Sequence, residues 1–156
     1  MFGFGKKKLV LAAPFEGKII DITQVNDPVF SEKMMGDGFA VEPAEGMDTL
    51  LAPCAAEVTL VPGTQHAVAL KKDGVELLLH VGIDTVSLKG KGFTALVKEG
   101  DTVKRGTPLL KFDSTEITAA GKSCITMIVV TNQDDAVKKV EKNLGNASEV
   151  MTLELK

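Results

Sequence analysis

Short apolar runs broken by polar punctuation dominate this chain. KLVLAAP, GKIIDI, GFAVEP, EVTLVP, HAVALKK, VELLLHV, FTALV, TPLLKF, CITMIVV and VMTLELK are rich in Val, Ile, Leu and Thr and are separated by Gly, Pro, Asp or Asn. That is the signature of brief strands joined by turns. No long segment sustains a helical period, so the pattern predicts an all-β fold with one or two short helices. DDAVKKVEKNLG reads as one of them, with Asp134 or Asp135 as N-cap and Gly145 as terminator, and STEITAAG as another turn or two. APFEGKII from Ala13 resembles APCAAEVT from Ala52, and GDGF at Gly36 echoes GKGF at Gly90. These matches point to a fold built from two similar β-motifs.

The segment HAVALKKDGVELLLH carries both histidines of the chain, His66 and His80, one at each end of a predicted hairpin. A three-residue Lys72-Asp73-Gly74 loop, with Gly in the left-handed position, would set Lys71 against Val75 and bring His66 opposite His80. Cβ atoms of such opposed residues lie roughly 4.5 to 5.5 Å apart, close enough for both rings to reach one group. Val68 and Leu78 would share the histidine face, while Ala67, Ala69, Val75, Leu77 and Leu79 would form a core face. A two-residue Asp-Gly turn instead shifts the register by one and sends the histidines to opposite faces.

With 156 residues the length suits a single domain spanning 1–156, with a motif-bearing core at about 28–132 and a short N-terminal extension over 1–12. A net charge of −3, one arginine (Arg105) and no Trp or Tyr argue against nucleic acid. Cys54 and Cys124 lie far apart in sequence, and both are expected to be small buried side chains in a reducing compartment, the cytoplasm. The apolar runs are too short to span a bilayer. MFGFGKKKLVLAAP reads as a frayed solvated end, with weak contact to anionic lipid as the sharper alternative, and offers no anchor for stable membrane insertion.

A neutral imidazole can act as a nucleophile near pH 7, and a second one can donate a hydrogen bond to a transferred anion. Phosphoryl chemistry suits such a pair. The same nitrogens could be half of a zinc site, which needs further ligands. There is no Walker-type loop, and GKG at Gly90 is a turn.

Read in context, LLLHVGIDTVSLKGKGF resembles the histidine motif of the glucose-family enzyme IIA proteins of the bacterial sugar phosphotransferase system. APFEGKI, DPVFSEKMMGDGFAVEP, Thr64-Gln65-His66 and VKEGDTVKRGTPLLKFD follow in the family's order, so the resemblance runs from about Ala13 onward. It implies an antiparallel β-sandwich, the duplicated hybrid motif. It also implies that a phosphohistidine carrier protein (HPr) phosphorylates His80 on Nε2, that His66 steadies the phosphoryl group, and that Thr64 orients it. The IIB domain of a membrane sugar permease would take the group onward at the inner face of the membrane. Phe30, Met35, Leu78 and Val86 match a greasy docking surface, and Asp27 and Asp84 match carboxylates offered to arginines of the carrier. No cofactor is required by the resemblance; a zinc ion shared with a partner at His66 and His80 is the alternative it carries. Pro62 and Gly63 stand where some relatives carry an aromatic and an acid.

Fold alone does not settle function, because zinc endopeptidases and biotinyl carriers share related architectures. The peptidase reading needs a His-x-His pair and a third ligand, neither of which is evident. Glu32-Lys33-Met34-Met35 lacks the methionine before lysine that a biotinyl hairpin needs. A regulator that binds metabolic enzymes according to its phosphorylation state is the stronger alternative.

Overall fold

A computed structural model describes residues 7–156; the expectations placed on the first six residues lie outside them. The described residues form antiparallel sheets with three short α-helices, α1 (Pro28–Ser31), α2 (Ser114–Ala119) and α3 (Gln133–Ala136). All ten predicted runs contain strands: β1 (Lys8–Leu11), β2 (Gly17–Asp21), β3 (Asp37–Pro43), β5 (Ala56–Leu60), β6 (Ala67–Lys72), β7 (Val75–Val81), β8 (Phe93–Ala95), β10 (Pro108–Phe112), β11 (Thr126–Val130) and β13 (Met151–Leu155). Three more went unpredicted: β4 (Thr49–Leu51), β9 (Thr102–Val103) and β12 (Val137–Lys142). The largest sheet has seven strands in the order β2-β3-β11-β7-β6-β5-β9, beside three-stranded sheets β1-β13-β12 and β4-β10-β8. Together they make a β-sandwich that does not close into a barrel.

The helix expected over 134–145 is corrected. Only α3 is helical there, and the chain then pairs with β13 as β12. A bulge between Val137 and Lys139 shifts the register, so an apolar spacing of three, Val137 to Val140, fits a strand here as well as a helix. Residues 8–11, expected within an N-terminal extension, are strand β1, with Leu11 fully buried.

The centre of the seven-stranded sheet is buried on both sides. One face carries Phe39, Val41, Val68, Leu70, Leu77, Leu79 and Ile128 into the main core. The other carries Ala40, Met127 and Val129 beneath a roof made by the 3₁₀ turn Ile22–Gln24 and α1, which contribute Ile22, Val25 and Phe30. Buried on both faces, β11 reads as the continuous apolar run TMIVV. Cys54 is buried as expected, whereas Cys124 is only half-buried.

The APF/APC resemblance has a structural counterpart. Ala12 N–H donates to Pro53 O at 3.0 Å, and Leu51 N–H donates to Pro14 O at 3.0 Å, so the two segments cross reciprocally. The GDGF and GKGF echoes do not share a sheet: Phe39 lies in β3 and Phe93 in β8.

The roof is tied to the C-terminal sheet by one ammonium. Lys142 Nζ of β12 stands 2.7 Å from Asp21 Oδ1 and 2.6 Å from Asp37 Oδ1, the residues that flank the roof segment. Burial works to raise the Asp21 pKa, but hydrogen bonds from Lys142 and from Thr23 overcome it and lower the pKa to about 2.

Candidate active site

The β6–β7 turn differs from the favoured expectation. Lys72 pairs with Val75, leaving the two-residue turn Asp73-Gly74 with φ of 50° and 83°, as a tight primed turn requires. Every facing pair therefore shifts by one: Ala67 opposes His80, Val68 opposes Leu79 and Ala69 opposes Leu78. Val68 is fully buried in the main core and not beside the histidines; Ala67 and Ala69 turn to the face of His80 and Leu78. By strand alternation alone, His66 would point away from His80.

Yet the rings meet. Their centroids are 4.8 Å apart at an interplanar angle of 81°. His66 lies just outside β6 at a bend, after Gln65, whose φ is 56°. Its carbonyl still accepts from Val81 N–H at 2.9 Å, so the chain keeps its place beside β7 while the imidazole escapes the strand pattern.

Each ring has a fixed polar partner. His80 Nδ1 lies 2.9 Å from Gly82 O. A carbonyl can only accept, so Nδ1 carries the hydrogen and Nε2 keeps its lone pair. His66 Nδ1 lies 2.6 Å from Thr64 Oγ1; when the hydroxyl donates, the His66 hydrogen sits on Nε2. One ring thus offers a lone pair and the other a donor.

Burial and, after it, the neighbouring His66 lower the His80 pKa to about 4, against smaller upward effects from the Gly82 hydrogen bond and the Asp27 charge. Burial likewise lowers that of His66, which is 7% exposed. Both imidazoles are therefore neutral near pH 7.

The other candidates take varied places. Phe30 is 5% exposed and packs 5.4 Å from His80, centroid to centroid. Leu78, also on the His80 face, is half-buried against the roof cluster. Met35 and Val86 are exposed, at 37% and 50%. Asp27 caps α1 by accepting from Val29 N–H at 3.0 Å. Asp84 sits in the left-handed region and pairs with Lys122 Nζ at 2.8 Å.

Several supporting residues were not singled out from sequence. Gly82, at φ 85°, supplies the carbonyl to His80 and donates its own N–H to Ile125 O at 2.8 Å. Thr85, fully buried, donates to Val81 O at 2.5 Å and fastens the same turn. Phe93 lies edge-on to His66, 6.5 Å between centroids. The available signal was the unbroken string HVGIDT, in which a glycine directly follows an apolar strand.

Among the described residues, no group of three or more His, Cys, Asp or Glu side chains is placed to hold a metal ion, and no helix is long and apolar enough to cross a membrane. Comparison with known proteins places the chain in a family. Residues 9–136 match the model of the phosphoenolpyruvate-dependent sugar phosphotransferase system, EIIA 1. The glucose-specific EIIA component of Staphylococcus aureus (strain COL) is 45% identical over 140 residues, covering 87% of this chain and 83% of the relative. That of Halalkalibacterium halodurans is 44% identical over 144 residues, covering 86% and 82%. The solved structure of glucose permease IIA from Mycoplasma capricolum superposes with a TM-score of 0.85 at 34% identity, covering 97% of this chain and 99% of that one. The chain belongs to the EIIA type 1 family of the phosphoenolpyruvate-dependent sugar phosphotransferase system.

Proposed function

We propose that this protein carries a phosphoryl group on His80 Nε2 between a phosphohistidine carrier protein and the IIB domain of a sugar permease for glucose-type sugars. The observation that carries the reading is the paired rings, with Nδ1 of His80 held by Gly82 O and its Nε2 left free. The Nε2 lone pair attacks phosphorus, the N–P bond to the carrier breaks, and its electron pair returns to the carrier's nitrogen. His80 then bears the Nε2–P bond and positive charge shared with Nδ1–H, which Gly82 O stabilises. In the second step a nucleophile of the IIB domain, such as a cysteine thiolate, attacks phosphorus and the electron pair returns to Nε2.

His66 Nε2–H donates to a phosphoryl oxygen as charge redistributes, and Thr64 holds that tautomer. Transfer between two such acceptors depends on placement and anion stabilisation, so the relay runs without nucleotide or metal. A zinc ion on His66 and His80 would find two of its ligands here and need the rest from a partner. Asp27 and Asp84 guide the carrier's cationic groups, and Phe30, Met35, Leu78 and Val86 form or support the apolar surface around the rings. Such a relay works in the cytoplasm, meeting the permease at the inner membrane face.

The test is phosphorus NMR of the protein incubated with phosphorylated carrier in chelator and without nucleotide. A phosphohistidine signal is expected. His80→Gln abolishes it, while His66→Gln chiefly slows onward transfer. Normal labelling of the His80 variant would overturn the assignment.

A further inference from the structure

The register of the hairpin and the meeting of the histidines are at odds, and one residue lies where they are reconciled. Because Ala67 opposes His80, an extended continuation of β6 would carry the His66 side chain to the Val68 face, toward the main core. The extended path ends at Gln65, whose φ of 56° lies in the left-handed region. That conformation is uncommon for a residue other than glycine, asparagine or aspartate.

Gln65 is also held at both ends. Its N–H donates to Pro62 O at 2.9 Å, closing the turn through Gly63 and Thr64. Its side-chain Oε1 accepts from Ala95 N–H at 2.6 Å, thirty residues away. Ala95 belongs to β8, an edge strand of another sheet, so the amide occupies a donor that a sheet edge would otherwise leave open. The same strand sets Phe93 edge-on against His66. The loop bearing Thr64 and His66 is thereby docked onto β8.

We propose that Gln65 is a positioning residue for phosphoryl transfer: its left-handed backbone and its bond to Ala95 hold His66 on the same side as His80. It touches neither the phosphoryl group nor the partner and acts only through His66. The transfer role of His66 rests on the function proposed above, but the ring placement does not, and the test separates them.

Three variants divide the backbone requirement from the anchor. Gln65→Val disfavours the left-handed region and removes the amide; Gln65→Asn tolerates that region and keeps an amide; Gln65→Gly frees the backbone but loses the anchor. In unphosphorylated protein, the nuclear Overhauser contact between the His66 and His80 rings is expected to vanish in Gln65→Val and return in Gln65→Asn. With phosphorylated carrier, Gln65→Val should still label on His80 with unchanged KM for the carrier, while onward transfer slows about tenfold or more, as when a stabilising donor is lost. Gln65→Asn should recover most of that rate.

A Gln65→Val protein with wild-type ring contact and transfer overturns the proposal. Should that variant fail to fold, Gln65→Gly decides: slowed onward transfer supports the anchor, and wild-type transfer overturns it. Absence of any phosphohistidine in the unmodified protein would instead strike the relay reading, leaving the ring-contact measurement to judge Gln65.

Discussion

The rings of Phe30 and His80 lie 5.4 Å apart, centroid to centroid, tilted at 57°. The roof residue therefore screens the imidazole from water on one side, and burial is the leading cause of the low His80 pKa. Phe30→Ala is expected to cost about 3–5 kcal/mol, the range for a truncated buried aromatic. It should also move the His80 titration upward from about 4 as water reaches the ring. Denaturant unfolding and proton NMR read the two effects, and an unmoved titration would show that the screen lies elsewhere.

The low pKa has a second consequence, with a definite sign. His80 stays neutral in the folded protein down to about pH 4, whereas in the unfolded chain it takes a proton near pH 6.5, about the ordinary value. Its contribution is fully present above about pH 6.5 and is lost as pH falls toward 4. His66→Gln removes one cause of the depression, so His80 in that variant should titrate higher and the stability loss attributable to it should shrink. Equal losses in both proteins over that window would contradict the coupling.

Gly82 leaves no room for a side chain. A Cβ built there falls 2.3 Å from Thr85 Cγ2 and 2.6 Å from Ser123 O, at φ 85°. Gly82→Ala should destabilise the protein by at least about 1–3 kcal/mol and displace the carbonyl that fixes the His80 tautomer. Nitrogen NMR of His80 would then show mixed tautomers; a retained Nδ1–H form would separate the tautomer from this turn.

Thr64→Val keeps the shape of the side chain but removes the hydroxyl 2.6 Å from His66 Nδ1. Onward transfer should slow roughly tenfold with little change in KM for the carrier, and Thr64→Ser should restore it. Rapid-quench transfer to a purified IIB domain measures this, and a Thr64→Val rate equal to wild type would remove the threonine from the machinery.

Much of this fold was legible because its strands carry strong local signals; the missed elements show why the rest was not. The three residues of β4 and two of β9 are too short to display alternation, and their pairing is decided by neighbours distant in sequence. In β12 the bulge after Val137 resets the phase, which makes a strand imitate a helical spacing. The family and the histidine pair were readable from an ordered string of motifs. The route to the pair was not: the turn is one residue shorter than favoured, and the compensating bend at Gln65 depends on an amide in β8. Alternation rules carry no information about a residue that has left the strand.

The family match stops at residue 136, yet Lys142 lies beyond it and grips Asp21 and Asp37 on either side of the roof. A chain cut after Ala136 would take away the partner of β1 and deprive Asp21 of its cation. The last twenty residues are thus a buckle for the lid over His80, and trimming this protein to its recognisable motif would loosen the very centre that the motif announces.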